Sequence, residues 1–128
     1  MKYPILFDCD PGIDVAVAFA LAAAHSDVLD IRGITSVAGN QTIERVTGNA
    51  LKLTAFLGMD IPVARGCKAP LLREIIPAGD IHGETGLGSC KLPETDRTVA
   101  GEPAPLFLYQ KLQELREGEK MVLVPTAP

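Results

Sequence analysis

The residues best suited to chemistry stand near the amino terminus, in Asp8-Cys9-Asp10-Pro11-Gly12-Ile13-Asp14-Val15. The apolar run Pro4-Ile5-Leu6-Phe7 precedes them and the alanine-rich stretch Ala16 to Ala24 follows, which reads as strand, acidic turn and helix. Side chains alternate along a strand, so Asp8 and Asp10 are expected to leave its end on the same side. Pro11-Gly12 turns the chain, and Asp14 falls in the first helical turn, where free N–H groups and the helix dipole favour a carboxylate. Three carboxylates crowded together resist ionising unless a positive charge sits among them. An oxygen-only ligand set suits a hard divalent cation such as Ca2+ or Mg2+. A single Asp here would be read as a helix N-cap, with Asp8 solvating the strand end. Three together favour the ion.

Composition narrows what such a site serves. The chain has 128 residues, 47% of them hydrophobic, which is enough for one compact domain over 1–128. A net charge of -4 without a basic patch argues against a nucleic-acid partner. One lysine and two aspartates by residue 10, with no long apolar run, are unlike a secretory signal. Val15 to Ala24, the longest apolar stretch, is too short to span a bilayer, so a cytoplasmic protein with no membrane partner is expected. Cys9, Cys67 and Cys90 are odd in number and widely spaced, suggesting neither a disulfide framework nor a zinc site.

The elements that must position the acidic turn alternate in type. A helix from Ile13 to Ala24 is apolar on nearly every face and is expected to pack deep in the protein. Leu29 to Val37 reads as a second strand, weakened by Gly33. Ala38-Gly39-Asn40-Gln41-Thr42 follows as a turn with groups suited to capping a helix that starts near Ile43. In that helix Ile43, Val46, Ala50, Leu53 and Leu57 form a core stripe, and Gly58 ends it. Ile61 to Arg65 is a short third strand, with Pro62 suggesting an edge. Gly66 to Glu102 has no regular pattern and holds His82-Gly83-Glu84-Thr85-Gly86-Leu87-Gly88, so it reads as a long functional excursion with one helical turn. A helix from Ala104 to Glu117, with Leu108, Leu112 and Leu115 inward and Gly118 as its stop, leads to an apolar strand at Met121 to Val124.

This alternation predicts an α/β fold: a Rossmann-like, mostly parallel sheet flanked by helices, with its crevice beyond the carboxyl ends of the strands. Leu6, Ile31, Val63 and Val122 should occupy adjacent central positions, with Asp10, Asn40 and Thr126 converging at one edge. The last strand is apolar throughout, as a strand covered on both faces would be, yet the chain stops four residues later. The expectation is the front part of a longer protein, or a chain that pairs with another, including a homo-oligomer. Its uncovered apolar area should favour association.

With these residues in view, the sequence resembles the inosine/uridine-preferring nucleoside hydrolases, purine and pyrimidine ribonucleoside N-ribohydrolases. The resemblance runs along nearly the whole chain. Family members open with a strand followed by Asp-x-Asp-Pro-Gly-x-Asp-Asp, matched here by Asp8, Asp10, Pro11, Gly12 and Asp14, with valine in place of the last aspartate at 15. Val37-Ala38-Gly39-Asn40-Gln41-Thr42, Ile81-His82-Gly83-Glu84 and Leu123-Val124-Pro125-Thr126 match in the same order. The family's chains are more than twice as long, so the resemblance implies a truncated, N-terminal part of that fold.

The resemblance also implies roles for a ribonucleoside substrate and a Ca2+ cofactor. Asp10 would ligate Ca2+ and take a proton from the attacking water, and Thr126 would offer its backbone carbonyl to the ion. Asp14 and Asn40 would hold the ribose hydroxyls, and His82 would stand near the nucleobase. Asp8 would orient the loop from behind the ligands. Cleaving an N-glycosidic bond develops oxocarbenium character on the ribose, which carboxylates and an ion-bound hydroxide stabilise. With Val15 and the missing part, the 128-residue chain is expected to be impaired. Two other readings arise from the residues. Asp8-Cys9-Asp10 is similar to the nucleophile motif of haloacid-dehalogenase-like Mg2+ phosphatases, although that pattern wants Thr or Val where Gly12 stands. The third is a non-catalytic fragment or binding module.

Overall fold

Side-chain alternation along the first strand divides the core between two faces of a sheet. In the computed structural model, which describes residues 1–128, the order is β1 (Tyr3–Cys9), α1 (Ile13–Ala24), β2 (Leu29–Ser36), α2 (Ile43–Phe56), β3 (Val63–Arg65), α3 (Gly79–His82), α4 (Ala104–Gln113) and β4 (Val122–Pro125). Ile5, Phe7 and Cys9 of β1 point to one face, where they pack with Val15 and Phe19 of α1 and Leu53 of α2. Leu6 points to the other and meets Phe107 of α4. The rings of Phe7 and Phe19 meet edge-on with centroids 5.2 Å apart.

All strand pairings are parallel, and the spatial order is β3-β2-β1-β4. The chain therefore leaves β1 in one direction through β2 and β3, then returns to place β4 on the opposite side of β1. That reversal makes the gap beyond the carboxyl ends of β1 and β4 the topological switch point, where open α/β sheets hold ligands.

The fold agrees with the expected parallel sheet, but several details differ. The register places Ile5 beside Ile31 and Val122, and Leu6 beside Gly33 and Leu123, because a bulge between Ile5 and Leu6 skips Arg32. Val63 pairs with Ile34 rather than lying level with Ile31. Gly33 lies within β2 as expected, paired with Leu6, and a Cβ there would stand 2.6 Å from Cζ of Phe107. β3 begins at Val63, two residues later than expected, and is an edge strand as Pro62 suggested. Gly58, at φ 66°, ends the α2 segment as anticipated.

α4 is shorter than the Ala104 to Glu117 expected, ending at Gln113. Its last turn tightens as the Leu115 N–H reaches the Leu112 carbonyl at 3.3 Å, and Gly118 instead serves the following turn, closed from the Glu119 N–H to the Arg116 carbonyl at 3.0 Å. Ala104 and Phe107 are the buried positions of α4, while Leu112 is exposed. α1 is likewise not buried all round: it buries Val15, Phe19 and Ala22, but Val17 and Leu21 are 66% and 61% exposed. β4 is the other edge of the sheet, with Val122 and Leu123 about half exposed, in line with the uncovered apolar area expected there.

The apolar surface left by α1 and β4 is continuous. Tyr3, Phe7, Leu21, Val28, Val122 and Val124 line a groove of about 590 Å³ between them. Exposed apolar area of this kind binds hydrophobic probes. The isolated chain is expected to enhance anilinonaphthalene sulfonate fluorescence under native conditions, and Leu21→Glu should cut that signal by more than half. A dye-negative monomer with one sharp unfolding transition would show the groove to be closed in solution. No helix is long and apolar enough to cross a membrane.

Candidate active site

Asp10 follows β1 at the switch point and is 2% exposed. Two contacts hold it to the β2–α2 turn: the Asn40 backbone N–H donates to Asp10 Oδ2 at 2.7 Å, and Asn40 Nδ2 donates to the Asp10 carbonyl at 2.9 Å. These bonds employ Oδ2 and the main chain, so Oδ1 takes no hydrogen bond from Asn40. Burial pushes the Asp10 carboxyl above the usual range, the Asn40 N–H opposes that, and the Asp14 charge adds to it.

The carboxylate sits so close to the turn that a Cβ on Gly39 would run into Asp10 Oδ2 and stand 2.9 Å from Pro128 Cδ. Gly39→Ala is accordingly expected to destabilise the chain by about 1–3 kcal/mol, through overpacking against the Pro128 ring and an Asp10 carboxylate that its bond from the Asn40 N–H holds in place. Urea unfolding would check this. An unchanged midpoint would mean that the turn yields without strain.

The other carboxylates are held differently. Thr35 Oγ1 donates to Asp8 Oδ1 at 2.5 Å, fastening Asp8 to β2. The Asp8 carbonyl accepts the Thr126 N–H at 2.9 Å, which places the segment after β4 beside the turn after β1. Asp14 lies exposed in the first turn of α1. Asp8, Asp10 and Asp14 all bear electrostatically on Cys9, whose buried thiol is pushed far up, chiefly by desolvation, and is left an unreactive core group. No three His, Cys, Asp or Glu side chains come together as a metal-holding group. The expected triple-carboxylate ligand set is thus not formed by side chains alone, because Thr35 engages Asp8 and Asp14 stands out on the helix.

His82, at the end of α3, reaches the same place from the long excursion. A Cβ on Gly12 would be 2.6 Å from His82 Nδ1 and 2.8 Å from Asn40 Nδ2, so glycine at 12 makes room for both side chains. His82 Nδ1 is buried and has no hydrogen-bond partner. Asp10, Asn40, His82 and the segment containing Thr126 therefore converge, while Asp14 borders them.

The donor chemistry fits a hard cation only in part. Asp10 and the carbonyl of Thr126 are oxygen donors of the right kind, against the roughly 6–8 oxygens that Ca2+ takes. Val15, which stands where the resembled motif has its last aspartate, is 2% exposed and built into the core.

Four residues near the site were missed or misread in the sequence. Thr35 looked like an ordinary β-branched strand residue. Gln41 and Thr42 looked like capping groups, yet α2 has no side-chain cap, and Gln41 Nε2 donates instead to the Gly83 carbonyl at 3.0 Å. Asn49 is buried in the middle of α2, and its Nδ2 donates to Pro11 and Thr85 carbonyls at 3.2 and 2.9 Å. A buried amide inside an otherwise apolar helix stripe is a poor helix former, and that was the available signal.

Comparison with known proteins places this geometry. The chain is 46% identical over 131 residues to the pyrimidine-specific ribonucleoside hydrolase RihA of Photobacterium profundum, covering all of this chain and 41% of that protein. Against RihA of Escherichia coli K12 the identity is 44% over 129 residues, covering 40% of it. Among solved structures, the plant nucleoside hydrolase PpNRh1 superposes with a TM-score of 0.85 at 34% identity, over all of this chain and 40% of that one. A purine-preferring ribonucleoside hydrolase from Gardnerella vaginalis gives 0.84 at 26% identity, over 98% of this chain and 40% of that one. The chain thus spans about two fifths of the length of these relatives. The haloacid-dehalogenase-like alternative is not favoured, and Asp8, its would-be nucleophile, is bonded to Thr35. The inosine-uridine preferring nucleoside hydrolase model matches residues 5–128, and the chain belongs to that family.

Proposed function

We propose that residues 1–128 are the N-terminal portion of one nucleoside hydrolase domain, and that their crevice serves hydrolysis of a ribonucleoside to free base and ribose. The observation that carries this reading is the buried Asp10 carboxylate clasped by Asn40 at the switch point, with the Thr126 segment alongside. The pyrimidine-specific names of the RihA relatives make uridine and cytidine the substrates to try first. A cytoplasmic setting belongs to the same reading.

In this mechanism Asp10 accepts the proton of the attacking water. The water oxygen bonds to the anomeric carbon as the N-glycosidic bond breaks, and the base departs with the electron pair and takes up a proton. Asp14 and Asn40 hold the ribose hydroxyls, and Asn40 is already fixed by its two bonds to Asp10. His82 presents its ring on the nucleobase side. Asp8 ties the end of β1 to β2 through Thr35 and to the segment after β4 through Thr126, and so orients the loop. A bound Ca2+, held by Asp10 and the Thr126 carbonyl, would acidify the water and orient the sugar diol.

Because the chain supplies only part of that ion's shell, the 128-residue form is expected to turn over nucleosides poorly. Misplacement on the order of 1 Å costs about a hundredfold. Uridine and inosine hydrolysis should be measured on the chain and on a Val15→Asp form extended with the remaining part of the Photobacterium relative, with Ca2+ or chelator. Turnover only in the extended form with Ca2+ is the expected result. A folded, Ca2+-loaded extended form that cleaves neither nucleoside would overturn the reading, and full activity in the 128-residue chain would overturn the impairment.

A further inference from the structure

We propose that Asn49, assisted by Gln41, is a positioning residue that sets where the His82 loop lies over the Asp10 turn. Its consequence for catalysis rests on the nucleoside hydrolase reading above, whereas the placement itself stands on geometry alone. Asn49 is 7% exposed in the middle of α2, and its Nδ2 donates to two carbonyls from distant parts of the chain. One belongs to Pro11, next to Asp10, and the other to Thr85, three residues after His82. An amide nitrogen carries two protons, so both are used and neither loop can shift without losing a bond.

Gln41 makes the second attachment. It is 8% exposed and donates from Nε2 to the carbonyl of Gly83, the residue after His82. The loop carries glycine wherever it crosses these amides. A Cβ on Gly86 would stand 2.9 Å from Asn49 Nδ2, and one on Gly79 would stand 2.8 Å from Gln41 Nε2. Gly86 is also held at φ 87°, a conformation that favours glycine.

Two further attachments are weaker or apolar: an exposed ion pair of Arg45 on α2 with Glu84 at 3.7 Å, and Leu87 in the core. No residue of α3 is buried, and Leu87 is the main apolar anchor of the stretch from Gly79 to Gly88. Inside the loop, the Gly88 N–H donates to the His82 carbonyl at 2.8 Å and the Gly86 N–H to the Gly83 carbonyl at 3.2 Å. These bonds close the loop on itself, and they stay protected while the loop is seated. The two amides are the buried polar bonds that tie it to the Asp10 turn and to α2, and His82 Nδ1 lies against the α-hydrogen face of Gly12 and beside Asn40. Asn49 itself touches none of the proposed reacting groups. It acts through His82.

The near-isosteric Asn49→Asp tests this, because it keeps the volume but offers only acceptors to two carbonyl oxygens. Nuclear magnetic resonance on the 128-residue chain should read two quantities: the Overhauser contact between the His82 Cε1 proton and the Gly12 α-protons, and amide exchange at Gly88 compared with Ile34, whose N–H donates to Pro62 at 3.0 Å in the sheet. Asn49→Asp is expected to abolish the Overhauser contact and speed Gly88 exchange by about tenfold or more, with Ile34 changed less than twofold. Gln41→Glu should move both readouts in the same direction by a smaller factor, and it decides the matter if Asn49→Asp does not fold. Retention of the Overhauser contact and of Gly88 protection in the folded variants would overturn the proposal. So would equal loosening of Gly88 and Ile34 with the contact retained, since that is the signature of a merely weakened helix. Neither readout depends on turnover, so a failure of nucleoside cleavage would leave this result standing.

Discussion

Asp10→Asn, introduced into the extended, Ca2+-loaded form, is expected to lower kcat for uridine by about a thousandfold or more while KM changes by less than about threefold. The substitution preserves shape, and an amide oxygen at 10 can still accept the Asn40 N–H that now reaches Oδ2 at 2.7 Å. Ribose-holding groups therefore stay in place. What disappears is a base, and general base catalysis contributes about 10²–10⁴-fold. One anionic donor to the ion is lost with it. Retention of even a tenth of the parent kcat would remove Asp10 from the chemistry.

The same substitution should not harm the fold. Burial disfavours the ionised Asp10, so its folded pKa lies above the unfolded value. The folded state then holds the proton more readily, and the cost of the charge is present above the folded pKa and fades as pH falls below the unfolded one. In metal-free buffer Asp10→Asn is expected to melt no lower than the parent at pH 7, with any advantage shrinking on acidification toward pH 4. Thermal melts at the two pH values check the sign, and a growing advantage at low pH would contradict it.

Val15→Asp is expected to have the second large effect, on stability. Val15 is 2% exposed and packs in the core cluster with Phe7, Cys9 and Phe19. A carboxylate there replaces apolar contacts with an uncompensated charge close to three other aspartates. In chelator the chain should lose about 3 kcal/mol, the scale for an unpaired buried charge. Under the ion-binding reading, Ca2+ should return part of that loss, about 2.7 kcal/mol at a hundredfold excess over Kd, while the parent gains little. Urea unfolding with and without Ca2+ separates the outcomes. A loss that Ca2+ does not relieve would mean that position 15 faces only the core in this chain, and an unaltered midpoint in chelator would mean that the core admits the charge freely.

Much of this molecule can be read from local pattern. The apolar run before Asp8, the stripe through Ile43, Val46, Ala50 and Leu53, and the stop at Gly58 are properties of neighbouring residues, and they led to the strands, to α2 and to the crevice end of the sheet. The order of motifs was enough to name the family before any coordinates. Uncovered apolar area at β4 was expected, but α1, apolar on nearly every face, was expected to be buried and instead leaves Val17 and Leu21 exposed, because local pattern does not say whether a neighbour packs on a helix.

The arrangement of the site was decided by tertiary structure. Asp8, Asp10 and Asp14 are near in sequence, yet each has different surroundings: Thr35 holds Asp8, Asn40 clasps a buried Asp10, and Asp14 is exposed on α1. Those partners lie on other elements and meet the acidic turn only because β2 pairs with β1 in this register. Asn49 shows the same limit, since its two acceptors are 38 and 36 residues away. Side-chain type and spacing determine what a segment can do with its immediate neighbours, through a period of 2 or 3.6. Which distant donor reaches which carboxylate depends on strand order and on a single bulge at Ile5 and Leu6, and a parallel sheet sets those through contacts that no short window of sequence contains.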